Sequence, residues 1–287
     1  RRFLQTLPPV DQVGAHERAA MLGTRSIKTT SKKWAIDMAI SMVDLTTLEG
    51  ADTPGKVRAL CSKALRPDPR DLSVPHVGAV CVYNDMVGIA RQHLDSIGGH
   101  DLPVAAVSTA FPSGRASHTV KIQDTKDAIE LGATEIDMVI DRGAFLSGKL
   151  GEVFDEISAI KSICGEQAHL KVILETGELV TLDNVRKASY LAMLAGADFI
   201  KTSTGKVTPA ATPPVVLVML EAVRDYFVMT NNRIGVKPAG GIRTTKDAIK
   251  QLVLVNEIAG PEWLDPSLFR IGASALLNDL LMQRMKM

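Results

Sequence analysis

The chain has 287 residues, 46% of them hydrophobic and 23% charged, which is a globular composition and excludes a disordered chain. A formal net charge of +1 provides no global field for nucleic acid or an anionic membrane surface. Three scattered cysteines, Cys61, Cys81 and Cys164, without a CxxC pair, argue against a disulfide framework or a zinc site and for a reducing compartment, taken as the cytoplasm.

Residues 1–40 are polar and mixed, with a helical pattern in WAIDMAISM, and are expected to form a helical extension. The start, RRFLQTLPPVDQ, lacks the apolar core of a secretory signal, and no apolar run reaches the ~18 residues of a membrane helix. From residue 41 a rhythm sets in. Short β-rich runs occur at 41–46, 77–83, 104–110, 135–141, 170–176, 199–204, 234–240 and 268–274. Between them lie stretches such as TPGKVRALCSKAL, TKDAIELG, LGEVFDEISAIKSIC, TLDNVRKASYLAMLAG and TTKDAIKQLVLV, whose apolar residues recur at i, i+3 and i+4. Ser and Thr stand at the starts of several of these helices, and Gly132 and Gly196 at ends. Eight β-α repeats without a composition break predict an α/β fold, a (β/α)8 TIM barrel over residues 41–287, in preference to an open doubly wound sheet.

Side chains alternate faces along a strand. Asp44, Asp137, Lys171, Lys201 and Lys237 each lie out of phase with apolar neighbours that can face the helices, and Glu175 shares the phase of Lys171. Any one of these alone reads as a strand-end residue in solvent. Five strands sending charge to one axis predict a paired, buried cluster, and such clusters mark functional sites. Lys201 and Lys237 fall on neighbouring strands, so their ammoniums repel and at least one is expected to have a depressed pKa. A neutral lysine attacks a carbonyl carbon and forms a Schiff base. Asp137 is placed to move protons, directly or through water. The bland alternative is a structural Asp–Lys ion pair.

Gly-containing turns follow the last three strands: Thr204-Gly205-Lys206, Gly240-Gly241 and Gly272-Ala273-Ser274. Glycine lets backbone N–H groups approach an anion, and barrels commonly bind phosphate after strands 7 and 8. Cys81, on the second strand, could face the pocket, but a core thiol is the favoured reading.

The motifs DLTTL (44–48), EIDMV (135–139), LKVILETGEL (170–179), GADFIKTSTGK (196–206), GVKPAGGIRT (235–244) and GAS (272–274) resemble those of the deoxyribose-phosphate aldolases, in family order over most of the chain. The resemblance implies reversible cleavage of 2-deoxy-D-ribose 5-phosphate to acetaldehyde and D-glyceraldehyde 3-phosphate, a step of deoxynucleoside catabolism, with neither metal nor cofactor. It makes Lys201 the Schiff-base lysine, Lys237 the lysine that perturbs it and Asp137 the proton shuttle. Asp44, Thr46, Cys81 and Lys171 would line the same pocket, and Thr204, Gly205, Lys206, Gly240, Gly241, Gly272 and Ser274 its phosphate end. Ala275 departs from the serine common in the family at that place, and no tyrosine follows Tyr226. The expected partner is a small phosphosugar, with a homo-oligomer as the assembly. Two rivals are an aldolase or transaldolase acting on a ketose phosphate, and a barrel serving as a protein-binding scaffold.

Overall fold

The computed structural model describes residues 2–287. Eight short strands run parallel: β1 (Val43–Thr46), β2 (Ala79–Tyr83), β3 (Val104–Ser108), β4 (Glu135–Val139), β5 (His169–Ile173), β6 (Phe199–Lys201), β7 (Gly235–Lys237) and β8 (Ile271–Ala273). They pair in the order β7-β6-β5-β4-β3-β2-β1-β8. Isolated parallel bridges Val236–Phe269 and Ala239–Gly272 join the two ends and close the barrel. The predicted TIM barrel is therefore the observed fold.

Among the described residues twelve α-helices accompany the strands. Three precede β1: α1 (Arg2–Gln5), α2 (Gln12–Leu22) and α3 (Thr29–Ser41). The others are α4 (Pro54–Leu65), α5 (Val87–Ser96), α6 (His118–Glu130), α7 (Arg142–Leu146), α8 (Leu150–Cys164), α9 (Leu182–Leu194), α10 (Pro213–Thr230), α11 (Thr245–Ile258) and α12 (Leu276–Arg284). Thr53, Ser117, Thr181 and Thr244 cap the starts of α4, α6, α9 and α11 with their hydroxyls. Each hydroxyl satisfies one of the N–H groups that a helix start leaves without a partner. Gly132 and Gly196 follow α6 and α9 with φ near +100°, as C′ glycines do.

One core layer lies between sheet and helices. It takes the outward phase of each strand, for example Val80 and Val82 of β2, Val104 and Ala106 of β3 and Leu170 and Val172 of β5. The N-terminal helices extend it on the outside of the barrel: α2 packs on α10 and α11, and α3 on α11 and α12. Val10 N–H donates to Asp183 at 2.7 Å, Arg18 pairs with Glu221 at 2.6 Å, and Phe3 meets Tyr190 edge-on at 5.6 Å.

All eight strands stop short of their predicted C-terminal ends or begin later. After β3 the backbone turns left-handed at Thr109 and Ala110, and after β5 at Glu175. A left-handed residue cannot continue a pleated strand, so these positions leave the sheet at the end of the barrel where the cavity described below opens.

Candidate active site

The inward phase is divided. On β2 and β3 it is apolar: Cys81, Ala105 and Val107 form a small cluster with Leu48, flanked by Tyr83 and Phe111 and separate from the sheet–helix core. On β1, β4, β5, β6, β7 and the approach to β8 it carries charge. Asp44, Asp137, Lys171, Lys201 and Lys237 are all buried, as the strand phase predicts.

They form one connected network. Lys201 Nζ and Lys237 Nζ each donate to Asp137 Oδ2, both at 2.7 Å. Lys237 also meets Asp44 Oδ2 at 2.5 Å, and Lys171 lies 3.6 Å from Asp137 Oδ1. Two members are additional to the sequence reading. Glu135, the first residue of β4, pairs with Lys171 and with Arg270. Arg270, immediately before β8, bridges Glu135 at 3.1 Å and Asp44 at 2.7 Å. Their phase could have revealed both, since Glu135 is two residues from Asp137 and Arg270 alternates with Phe269 and Ile271. Glu175 departs from expectation. It is buried, but its carboxylate accepts from Thr204 beyond the strand ends.

Burial alone would raise the two aspartates and lower the lysine. The charges overrule it. Against burial, the Lys201, Lys237 and Lys171 ammoniums hold Asp137 far below the usual carboxylate range, and Lys237, Arg270 and Lys171 do the same for Asp44. Lys237 is raised well above an ordinary lysine because Asp137 and Asp44 outweigh its burial. If one of the two strand-end lysines is to be depressed, as their proximity suggests, it is not Lys237. The sequence placed Asp44 on the same axis but left open which lysine it stands beside, and the structure puts it against Lys237.

Four cations, Lys171, Lys201, Lys237 and Arg270, face three carboxylates, Asp44, Glu135 and Asp137. With every group ionised, one positive charge is in excess. A buried excess charge is costly, so the network comes into balance when one ammonium gives up a proton.

Above the network opens a cavity of about 520 Å³. Its lining includes Thr46, Lys201, Thr204, Gly205, Lys206, Gly240, Gly241, Gly272 and Ser274, nine of the residues singled out from the sequence. Asp44, Asp137, Lys171 and Lys237 are not in the lining and lie in the buried network, so Lys201 alone among the four cations reaches the cavity. Cys81 is also outside the lining. It is fully buried on the apolar side of the interior, and burial pushes its thiol up.

The walls after β6, β7 and β8 are polar and open. Gly205 and Gly241 have φ of +79° and +84°, and a Cβ at either would meet nothing within 4 Å. They leave room for a ligand to approach the backbone. Lys206 pairs with Glu49 at 2.9 Å and is one-third exposed at its side chain. Ser274 and Ala275 line the cavity just before α12, whose start has no side-chain cap. Arg243 and Lys56 add two cationic side chains to the lining that the sequence reading did not include. Among the described residues no group of three or more His, Cys, Asp or Glu side chains could hold a metal ion.

A family model described as DeoC/LacD family aldolase matches residues 38–281. The chain belongs to this aldolase family. Membership makes it an enzyme of the carbon–carbon lyase type. The chain is 48% identical to the human deoxyribose-phosphate aldolase over 264 residues, covering 88% of this chain and 82% of that protein. It is 46% identical to the mouse deoxyribose-phosphate aldolase, covering 94% and 87%. Among solved structures, the tetrameric deoxyribose phosphate aldolase of Aeropyrum pernix superposes with a TM-score of 0.70 at 25% identity, over 97% of this chain and all of that one. Within the DeoC/LacD aldolase family the charged barrel interior and the cavity above it are the candidate catalytic centre.

Proposed function

We propose that this aldolase reversibly cleaves 2-deoxy-D-ribose 5-phosphate to acetaldehyde and D-glyceraldehyde 3-phosphate through a Schiff base on Lys201. The observation that carries the reading is that Lys201 is the one cation of the buried network that lines the cavity. Its nitrogen shares a carboxylate oxygen with a second ammonium that is held charged. The substrate named is that of the human and mouse relatives.

In the cleavage direction the neutral Lys201 nitrogen adds to the aldehyde carbon C1 of the open-chain sugar. The carbinolamine loses its hydroxyl as water and becomes an iminium. The C3 hydroxyl then gives up its proton, and the C2–C3 electron pair moves into the iminium. This step leaves an enamine on Lys201 and releases D-glyceraldehyde 3-phosphate. Protonation of the enamine at C2 restores the iminium, and addition of water frees acetaldehyde and the lysine. The water consumed equals the water lost, and the proton from C3 balances the one gained at C2.

Asp137 and Lys237 serve as the relay for these protons. Of the charges that keep the Asp137 carboxyl low, Lys201 is the largest contributor. When Lys201 is uncharged, as in the carbinolamine, Asp137 is released to accept a proton while Lys237 and Lys171 keep it in place. Leu48, the member of the apolar cluster that lines the cavity, suits a two-carbon donor that carries no hydroxyl. A ketose-phosphate donor would bring an unpaired hydroxyl against it, at a cost of roughly 1–3 kcal/mol. The phosphate falls to the open backbone at Gly205 and Gly241, the uncapped start of α12, Ser274 and Lys206.

Residues 1–40, of which residue 1 lies outside the described residues, are assigned as a helical extension on a barrel domain of residues 41–287, and the packing of α2 and α3 on the outer helices supports this division. Three buried free thiols support a reducing compartment, the cytoplasm, and the tetrameric relative supports a homo-oligomer. No helix among the described residues is long and apolar enough to cross a membrane.

The test is trapping. Incubation with acetaldehyde, borohydride reduction and peptide mapping are expected to mark Lys201. Lys201→Leu is expected to abolish both the adduct and aldol cleavage. Near-normal turnover in that variant would remove the assignment.

A further inference from the structure

Glu175 is a buried carboxylate that the proton relay does not use. It sits between β5 and the cavity, with a left-handed backbone at φ 52°. Glutamate gains nothing intrinsic from that conformation, so the surrounding structure imposes it. Its Oε2 accepts from the Thr204 hydroxyl at 2.5 Å, and its two oxygens lie 3.3 and 3.4 Å from Thr204 N–H. Thr204 is itself buried and lines the cavity. The same Thr204 hydroxyl oxygen accepts from Lys206 N–H at 3.1 Å, across the left-handed Gly205.

The contact is therefore a chain: the Glu175 carboxylate fixes the Thr204 hydroxyl proton, which leaves that oxygen to accept from Lys206, and both bonds set the turn at Gly205. The neighbouring loop is latched as well. Thr176 N–H donates to Thr202 O at 2.9 Å, and a Cβ on Gly177 would lie 2.1 Å from Pro209 O. Burial pushes the Glu175 carboxyl above its usual range, while the Thr204 hydrogen bonds and Arg142 pull it back. A carboxylate in that position costs desolvation energy, and a purely apolar side chain would fill the space without the cost.

We propose that Glu175 is a positioning residue for the phosphate end of the site: by clamping Thr204 it holds the Thr204-Gly205-Lys206 turn in the shape that receives the substrate's phosphate. This inference rests on the phosphosugar reading above, and it adds a residue that touches neither the sugar nor the Schiff base.

The experiment compares 2-deoxyribose 5-phosphate with unphosphorylated 2-deoxyribose, for the wild-type protein, Glu175→Ala and Glu175→Gln. Loss of hydrogen bonds to a charged group predicts that Glu175→Ala raises KM for the phosphorylated sugar about tenfold, with kcat changed less than about threefold. Its kcat/KM for the unphosphorylated sugar should stay within about twofold of wild type. Glu175→Gln keeps one carbonyl acceptor for Thr204 and should recover most of the loss. It also keeps the test open if the alanine variant does not fold. Borohydride trapping of acetaldehyde on Lys201 should proceed at the wild-type rate in both variants. A proportional fall on both sugars, or an unmoved KM for the phosphorylated one, overturns the proposal and leaves the Schiff-base reading intact. A wild-type protein indifferent to the phosphate removes the phosphosugar reading and this inference with it.

Discussion

Replacing Lys237 by leucine keeps the buried volume and removes one charge. In the native site Lys201 and Lys237 are each 2.7 Å from the same oxygen of Asp137, so their nitrogens are separated by no more than twice that distance. At roughly 5 Å and an effective dielectric of about 20, two unit charges repel by about 3 kcal/mol. That repulsion is relieved when the Lys201 nitrogen reacts as a neutral amine, and an energy of that size corresponds to about two powers of ten in rate. The carboxylates reinforce the effect, because Asp44 and Asp137 are left with fewer cations and the excess positive charge of the network is gone. We therefore expect Lys237→Leu to slow trapping of acetaldehyde on Lys201 about a hundredfold near pH 7, with the rate recovering as pH rises. Stability should fall by about 3–5 kcal/mol, as for other broken buried pairs, so denaturant melts must first show that the variant is folded under assay conditions. The reasoning fails if the folded variant traps acetaldehyde at pH 7 within about twofold of the wild-type rate, or if its loss is the same at every pH.

Two other outcomes follow from the same interior. A Cβ on Gly272 would come within 2.8 Å of the Ala239 Cβ and 3.3 Å of Lys237 Cε, so Gly272→Ala should cost about 1–3 kcal/mol in a melt and lower kcat by displacing Lys237; wild-type stability would contradict the close packing. Asp44 and Asp137 have folded pKa values well below that of an unfolded aspartate, ~3.9, so the stability they contribute is complete above about pH 4 and is lost as pH falls toward their folded values. Asp137→Asn should flatten the fall of Tm with pH below about 4, and parallel slopes in variant and wild type would refute this.

Much of this interior was legible in the sequence because a strand has period two. Once Val, Ile and Leu are placed against the helices, Asp44, Asp137, Lys171, Lys201 and Lys237 have no other direction to take. The same parity applies to Glu135 and Arg270, which lie within the β-rich runs 135–141 and 268–274 and alternate with Ile136 and Ile271. Less was legible at the strand ends. Nothing in ILET or VSTA announces that Glu175, Thr109 and Ala110 turn left-handed, because each is an ordinary L-residue held there by loop contacts. Glu175 was for that reason assigned to the axis when it clamps Thr204. Which of the two lysines is held charged was not legible for a different reason: sequence shows that like charges are near, but not which carboxylate stands closer. Only the coordinates give Asp44 at 2.5 Å from its nitrogen.

The linked barrel interior also constrains how this protein can change over generations. Every charged group in it touches at least one other, and Asp137 touches three. Loss of any one leaves a buried partner unmatched, so the effects of successive replacements do not add. An Arg270 replacement, for example, becomes tolerable only beside compensating changes at Asp44 and Glu135. Drift at these seven positions is therefore expected in correlated sets or not at all, while the cavity wall at Lys56, Arg243 and Ala275, which bears no such ties to the network, is free to vary singly and to retune what the enzyme accepts.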